Sequence, residues 1–372
     1  MVSAILFFLL ALFSAGYAAG ASFTITDLGA LGSGQSVAYS INSSGHVVGA
    51  SRDDSWGQRA VQYSGGHAIG LDFAGFGSQA QAINDHGQIV GTVHGPGGAQ
   101  AALWSGGAGV GLGTLGGDHS YATGINNHGH IVGGASNAFG AGRAFVNRDG
   151  EMQDLGTLGG GNWSAAYGIN DAGRVVGYSE TAPGIFRAFA WDPATGMIDL
   201  GTLGGGSSYA LAISNDGWII GSSMTGGGYL HGFVWIDGVM VSLGTLGGSM
   251  SAAYGVSSGV VVGYSTLADG STRAFVWKNG VMADLNSLVA PGSGWVLSAA
   301  YSINSAGQIV GTGSYQGQTR AFLLDPAAAL GPPSQPDPVA DNPEPGTLAL
   351  FAIGALCAGV FSQIRRLRTV RK

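Results

Sequence analysis

"DLGTLGGG" occupies Asp154–Gly161 and returns unchanged at Asp199–Gly206. Close copies stand at Asp27–Gly32 ("DLGALG"), Gly111–Gly117 ("GLGTLGG") and Ser242–Gly248 ("SLGTLGG"). A glycine-rich loop after a short apolar run has two ordinary uses, cradling a phosphate at a helix N-terminus or turning the chain. A phosphate site needs one such loop with a helix behind it. Here the loop recurs at intervals and no helical pattern follows, so it reads as a junction between repeated units.

A second marker sets the period. "INSSG" begins at Ile41, "INDHG" at Ile83, "INNHG" at Ile125, "INDAG" at Ile169, "ISNDG" at Ile213, "VSSG" at Val256 and "INSAG" at Ile303, with spacings of 42 to 47 residues. Units of that length with four strands each are the signature of propeller blades. One unit divides into "AAYGI" (Ala165–Ile169), "RVVGYS" (Arg174–Ser179), "RAFAW" (Arg187–Trp191) and "MIDLG" (Met197–Gly201). The Asn…Gly segment between the first two suits a type I turn closed by a left-handed glycine. A calcium loop would need acids at alternate positions, which this turn lacks.

Strand order then predicts closure. A lone fourth-type strand, "TITDL" (Thr24–Leu28), precedes the first complete unit, and the last unit stops after its third-type strand, "RAFLL" (Arg320–Leu324). The expected fold is all-β: a seven-bladed β-propeller closed by pairing the N-terminal strand with the last blade. Closure removes the exposed sheet edges of an open array.

Two columns of the repeat vary together. The third strand starts with Arg59, Gln100, Arg143, Arg187, His231, Arg273 and Arg320. The aligned fourth-strand positions are Asp72, Gly111, Asp154, Asp199, Ser242 and Asp284, with Asp27 assigned to the last unit. Where Arg is missing, Asp is missing, which predicts Arg–Asp cross-strand neighbours within one blade. Exposed pairs of this kind contribute roughly 0.2–1 kcal/mol, so their expected role is to fix register while apolar burial supplies stability.

Composition agrees. The 372 residues include 70 Gly and only 9% charged residues, poor material for helices, yet 45% are hydrophobic, too many for a disordered chain. The single cysteine, Cys357, excludes an intramolecular disulfide framework and any multi-cysteine metal site. Five of the 14 basic residues crowd the last eight positions, leaving residues 22–342 at a balance of −11. Such a body repels phosphate backbones, so nucleic acid is not an expected partner.

Both ends read as addresses. Residues 1–21, "MVSAILFFLLALFSAGYAAGA", have an apolar core from Ile5 to Phe13 and an A-x-A pattern at Ala19–Ala21, as in a signal peptide; an uncleaved anchor is the alternative. Residues 22–326 form the repeat array, and 327–346 a proline-rich linker ending in Pro343-Glu344-Pro345. Residues 347–364 are a candidate transmembrane helix, about 27 Å long against a bilayer core of roughly 30 Å. The tail 365–372, starting Arg365-Arg366, is basic and expected on the cytoplasmic side.

Two resemblances attach to these motifs. Pro343-Glu344-Pro345, an apolar helix and Arg365-Arg366, in that order, resemble the PEP-CTERM sorting signal of Gram-negative bacteria. The resemblance implies an inner-membrane-anchored precursor, recognition by an exosortase, and delivery to the cell surface or an exopolysaccharide matrix. The repeated "DLGTLGG", "AAYGIN", "VVGYS" and "RAFVW" elements resemble the HAF family of extracellular repeats across nearly the whole body. That family carries no established chemistry onto particular residues.

A search for chemistry yields little. His128-Gly129-His130 is the closest histidine pair among eight, at turn positions that vary from unit to unit, and a metal site would want more ligands. No G-x-S-x-G elbow precedes a helix. Asp53-Asp54 is the one acidic pair outside the repeat pattern, and neighbours on a strand point apart. No catalytic, metal or cofactor-binding residue is therefore expected. Trp56, Trp163 and Trp295 fall outside the repeat, in loops where an exposed ring could stack on a sugar face or plug a gap. The expected role is non-catalytic binding of an extracellular polysaccharide or another surface protein. The alternative is an exported polysaccharide-active hydrolase or lyase using one propeller face. Acids with raised pKa at the channel mouth would favour the enzyme, and an aromatic-lined groove without them would favour binding.

Overall fold

A computed structural model describes residues 22–327, apart from 55, 56, 72 and 74–76. The expected signal peptide, the linker beyond Ala327, Pro343–Pro345, the candidate transmembrane helix and the basic tail lie outside the described residues. Among the described residues no helix is long and apolar enough to cross a membrane.

Seven four-stranded antiparallel sheets form the body. Blade one comprises Ser36–Ile41, Val47–Arg52, Gln58–Ser64 and His67–Gly70. Blade four comprises Ser164–Ile169, Val175–Ala182, Ile185–Asp192 and Gly196–Asp199, each within a few residues of the strand read from the repeat. Blade seven takes three strands from the chain's end, Trp295–Ile303, Ile309–Tyr315 and Gln318–Pro326. Its fourth is Phe23–Asp27, antiparallel to the third, with Phe23 opposite Pro326 and Asp27 opposite Phe322. The ring is tied further by Leu28 N–H to Ala321 O (3.1 Å) and Ala327 N–H to Ser22 O (2.8 Å). The chain's beginning therefore completes its last blade. First strands of successive blades touch all round the ring, blade one meeting blade seven, so they enclose a central channel.

The core lies between blades. One cluster joins Val132, Ala144 and Val146 of blade three to Ile169, Val175 and Phe189 of blade four. Another joins Val310 and Ala321 of blade seven to Leu28, Ile41 and Val61. Third-strand Phe145, Phe189, Phe233, Phe275 and Phe322 are each fully buried. Such packing outweighs any surface ion pair, at about 1.5–3 kcal/mol per large apolar side chain.

Every first strand is bulged at one fixed place, two residues before the marker Ile or Val: between Ala38 and Ser40, Ala80 and Ala82, Ala122 and Gly124, Ala166 and Gly168, Ala210 and Ala212, Ala253 and Gly255, and Ala300 and Ser302. The bulge presses the first strand onto the second. A Cβ on Gly49, Gly177 or Gly311 of the "VVG" element would meet a first-strand carbonyl oxygen at 1.9 to 2.1 Å. That close approach requires glycine at this column in all seven units.

Candidate functional site

The channel has two unlike mouths. At one gather the turns after the first strands. Asn42 donates from Nδ2 to the carbonyl of Asn84 (3.1 Å), Asn84 to that of Asn126 (3.0 Å), Asn126 to that of Asn170 (3.0 Å) and Asn170 to that of Ser214 (3.3 Å). Across the closure Asn304 donates to the carbonyl of Asn42 (3.0 Å). A second rail runs outside it: the N–H groups of Ser43, Asp85, Asn127 and Asp171 donate to the side chains of Asp85, Asn127, Asp171 and Asn215 in the next blade. Burial pushes the Asp85 carboxyl up, but bonds from Ser43 and Asn127 outweigh it and hold it below the ordinary value. Asp85 and Asp171 at this mouth are thus spoken for by neighbouring blades and Asp216 by Ser214 of its own turn, and the mouth is a hydrogen-bonded girdle from blade seven round to blade five. Among the described residues no group of three or more His, Cys, Asp or Glu is placed to hold a metal ion.

The other mouth is built on the bulge column. A bulge re-aims its extra residue, and here that residue is Tyr39, Gln81, Thr123, Tyr167, Leu211, Tyr254 or Tyr301, all seven lining one cavity of about 540 Å³. Tyr301 meets Tyr39 and Tyr254 with centroids 5.5 and 5.3 Å apart, and Tyr254 meets Tyr264 at 5.8 Å. Tyr167 packs on Tyr178 at 5.7 Å, and Tyr178 on Tyr209 at 5.2 Å. Facing these aromatic groups, blades two and three present Gln79, Gln81, Thr92, His94 and Thr123. The wall is therefore mainly aromatic on one arc and carries amides, hydroxyls and His94, with Tyr121 of blade three, on the other, and no carboxylate lines it among the described residues. Burial raises the hydroxyl pKa of Tyr39, Tyr167 and Tyr301, and pushes those of Tyr121 and Tyr178 up to about 12. The phenols thus stay protonated and offer both a donor and an acceptor.

The candidate tryptophans separate. Trp163 is 53% exposed in the junction loop before the first strand of blade four. Trp295, expected in a loop, instead begins the first strand of blade seven, 9% exposed and stacked on Tyr315 at 4.7 Å. It fills a gap in the core and presents no face to a ligand. Trp56 lies outside the described residues.

The Arg–Asp expectation needs correction. Arg143 and Asp154 approach to 3.7 Å, and Arg273 and Asp284 to 3.9 Å. Arg59 instead pairs with Asp53 at 3.1 Å, and Asp72 lies outside the described residues. Among the described residues Arg187 with Asp199, and Arg320 with Asp27, form no ion pair. The common work of the Asp column is local. The carboxylates of Asp27, Asp154, Asp199 and Asp284 each accept the N–H two residues on, and the Ser242 hydroxyl does the same. In the "DLG" copies that next-but-one residue is a left-handed glycine, with φ of 77°, 76° and 80° at Gly29, Gly156 and Gly201. The loop that raised the phosphate question is an Asx-capped turn between blades. Ring closure rests on strand pairing, with no need of Arg320 and Asp27.

The acidic pair and the histidine pair singled out by the sequence have local partners. Asp54 accepts from the N–H and hydroxyl of Ser33, which hold its carboxyl below the ordinary value, while Asp53 turns to Arg59. His128 and His130 stack at 5.9 Å on the girdle side. Among the described residues every carboxyl displaced in its titration, at Asp54, Asp85, Asp118, Asp192 and Asp269, is displaced downward. A general acid would need the opposite.

No family model matches the sequence, and no curated protein matches it. Among solved structures the chain is similar to puromycin hydrolase, at 11% identity and a TM-score of 0.50, over 77% of this chain and about half (53%) of that one. TolB from Acinetobacter baumannii is similar at 12% identity and TM-score 0.44, over 64% of this chain and 63% of that one. The β-propeller domain of the Trilobed protease from Pyrococcus furiosus is similar at 11% identity and TM-score 0.45, over 69% of this chain and 85% of that one. At such identities the likeness is one of fold: the chain is a β-propeller.

Proposed function

We propose that this chain is an exported, non-catalytic carbohydrate-binding propeller, displayed at the cell surface or in an exopolysaccharide matrix of a Gram-negative bacterium. Export and sorting rest on the N-terminal apolar segment and on the likeness of Pro343–Pro345 and Arg365-Arg366 to a PEP-CTERM signal. On that reading an exosortase processes an inner-membrane precursor, and the body belongs with the HAF repeats. Binding rests on one observation, the cavity whose bulge column carries Tyr39, Tyr167, Tyr254 and Tyr301 opposite amides, hydroxyls and His94. Aromatic faces take the C–H face of a sugar ring, and protonated phenols and amides take its hydroxyls. A glycan-binding screen on the full chain, with product sugars monitored, tests the reading. The expected result is retention without shortening, lost by about tenfold in Tyr254→Ala, a ratio worth about 1.4 kcal/mol. Release of shortened sugars would replace it with the polysaccharide-active enzyme.

A further inference from the structure

A second cavity, of about 520 Å³, opens between blades three and four and has Trp163, Tyr178 and Phe186 in its wall. It adjoins the central cavity, because Tyr121 lines both. The aromatic surface also runs on without a break: Tyr167 of the central cavity packs on Tyr178, and Tyr178 meets Phe186 edge-on at 5.4 Å.

Trp163 closes the outer end, and its position is built. A Cβ on Gly142 would lie 2.4 Å from a Trp163 ring carbon, so the indole rests directly on backbone while 53% of the residue stays exposed. Tyr121 is seated likewise, since a Cβ on Gly134 would lie 2.5 Å from its hydroxyl end. An exposed indole held against a glycine along its Cε3–Cζ3 edge is a preorganised stacking platform.

Charges around this outer cavity are paired internally. Arg143 lies 3.7 Å from Asp154 and donates to the carbonyls of Gly142 and Asn162. Asp118 is taken by His119 and by the Ser136 hydroxyl. Arg143, the one guanidinium in this wall among the described residues, is thus occupied and offers an acidic sugar no free cation. Each cavity alone is within the range of small-molecule sites, about 300–1,000 Å³, and a single sugar ring would leave one of them empty.

We infer that the cavity between blades three and four is the outer subsite of the central site, and that the ligand is a linear chain of neutral hexoses laid from the channel mouth out to Trp163. This rests on the reading of the central cavity as a carbohydrate site and adds its direction, its length and its charge.

The test is titration calorimetry on the full chain with neutral gluco- and manno-oligosaccharides of two and of six units, and with hexagalacturonate. The six-unit neutral chain should bind about tenfold tighter than the disaccharide, a ratio worth about 1.4 kcal/mol. Trp163→Ala should abolish that gain and leave disaccharide affinity unchanged, whereas Trp163→Phe should keep most of it. Gly142→Ala, which deletes no aromatic group, should also abolish the gain by lifting the indole from its seat. Equal affinity for two and six units, or a gain that survives both Trp163→Ala and Gly142→Ala, overturns the outer subsite while the central site stands. Binding of hexagalacturonate alone overturns the neutral ligand. Binding of none of the probes overturns the subsite and the carbohydrate reading together.

Discussion

Asn84 offers a clean dissection of what locks the blades together. It is 3% exposed and makes four side-chain bonds. Nδ2 donates to Gln88 Oε1 (2.8 Å) within its own turn and to the carbonyl of Asn126 (3.0 Å) in the next blade. Oδ1 accepts the N–H of His86 (3.1 Å) and of Gln88 (3.0 Å). Blade five shows what a serine does at this place: Ser214 Oγ accepts the N–H of Trp218 (3.0 Å), and no hydroxyl there reaches the following blade. Asn84→Ser should therefore keep the Gln88 N–H capped and lose the inter-blade bond together with those to the His86 N–H and Gln88 Oε1. The Asn126 carbonyl retains the N–H of Gly129 as a partner (3.0 Å), and His86 is exposed to water, so these losses should cost about 1–1.5 kcal/mol. Asn84→Ala also orphans the part-buried N–H of Gln88 and should cost about 2–3 kcal/mol. The assay is equilibrium urea unfolding of residues 22–327, within which the ring closes on itself and which lack the chain's one cysteine. Two-state unfolding with an unchanged m-value is the condition for comparing midpoints. Equal losses for Ser and Ala would refute the division into turn cap and inter-blade bond. No loss in either would refute the girdle as a lock.

Two further expectations test other parts of the ring. Deleting residues 22–28 removes the fourth strand of blade seven and the buried Leu28. It should cost about 5 kcal/mol, from roughly 2 kcal/mol for the leucine and about 1 kcal/mol per ladder bond. The bared edge of Gln318–Pro326 should then pair between molecules, and light scattering that stays monomeric would count against it. His130 has a buried Nδ1 without a partner, whereas Gln88 and Gln308, at the same turn position, accept from Asn84 and Asn304 at 2.8 and 2.7 Å. His130→Gln should therefore add about 1 kcal/mol. It should also flatten the acid side of the stability profile. Burial, then Arg148 and His128, holds the His130 pKa below its ordinary 6.5. The unfolded chain consequently takes up the proton first, and stability present above pH 6.5 falls as pH drops through 6.5 toward the lowered value. Thermal midpoints across pH 5 to 8, for both proteins, check the sign.

Repeat count and closure were legible because each follows from one-dimensional order. Seven marker turns, five of them "IN…G", and a fourth-type strand standing alone before the first unit allow one closed arrangement, and strand Phe23–Asp27 takes that place. Two readings failed for reasons of reach. Asp and Arg vary together, but an Asp oxygen finds the N–H two residues on at 2.7–2.9 Å, nearer than a guanidinium across the strand. In blade five Ser242 takes over the cap, with His231 Nδ1 at 3.1 Å from its hydroxyl. Trp295 was misplaced because the first strand of blade seven, like Gly116–Ile125 and Gly204–Ile213, carries two register shifts and runs back into the residues that the repeat assigns to the junction loop. The girdle went unread because each Asn has a sufficient local role as a turn cap. Its second bond, to a residue 42 to 44 positions on, exists only once the blades stand side by side.

The aromatic mouth left a subtler trace. Around the bulge the repeat is nearly constant: Ala before it in all seven units, a small Ser, Ala or Gly after it, and a glycine opposite on the second strand. Between these fixed neighbours sits the variable column of Tyr39, Gln81, Thr123, Tyr167, Leu211, Tyr254 and Tyr301. A two-residue alternation would assign that column by parity, sending it to the packed face or away from it. The bulge breaks the parity at this residue and turns all seven side chains to the channel. Constancy and variation thus have separate causes here. Glycine and alanine are repeated because the backbones nearly touch, so the scaffold tolerates nothing larger. The residue between them varies because its side chain leaves the close strand-to-strand contact for the channel, where its neighbours are the other members of the column and the ligand space they line.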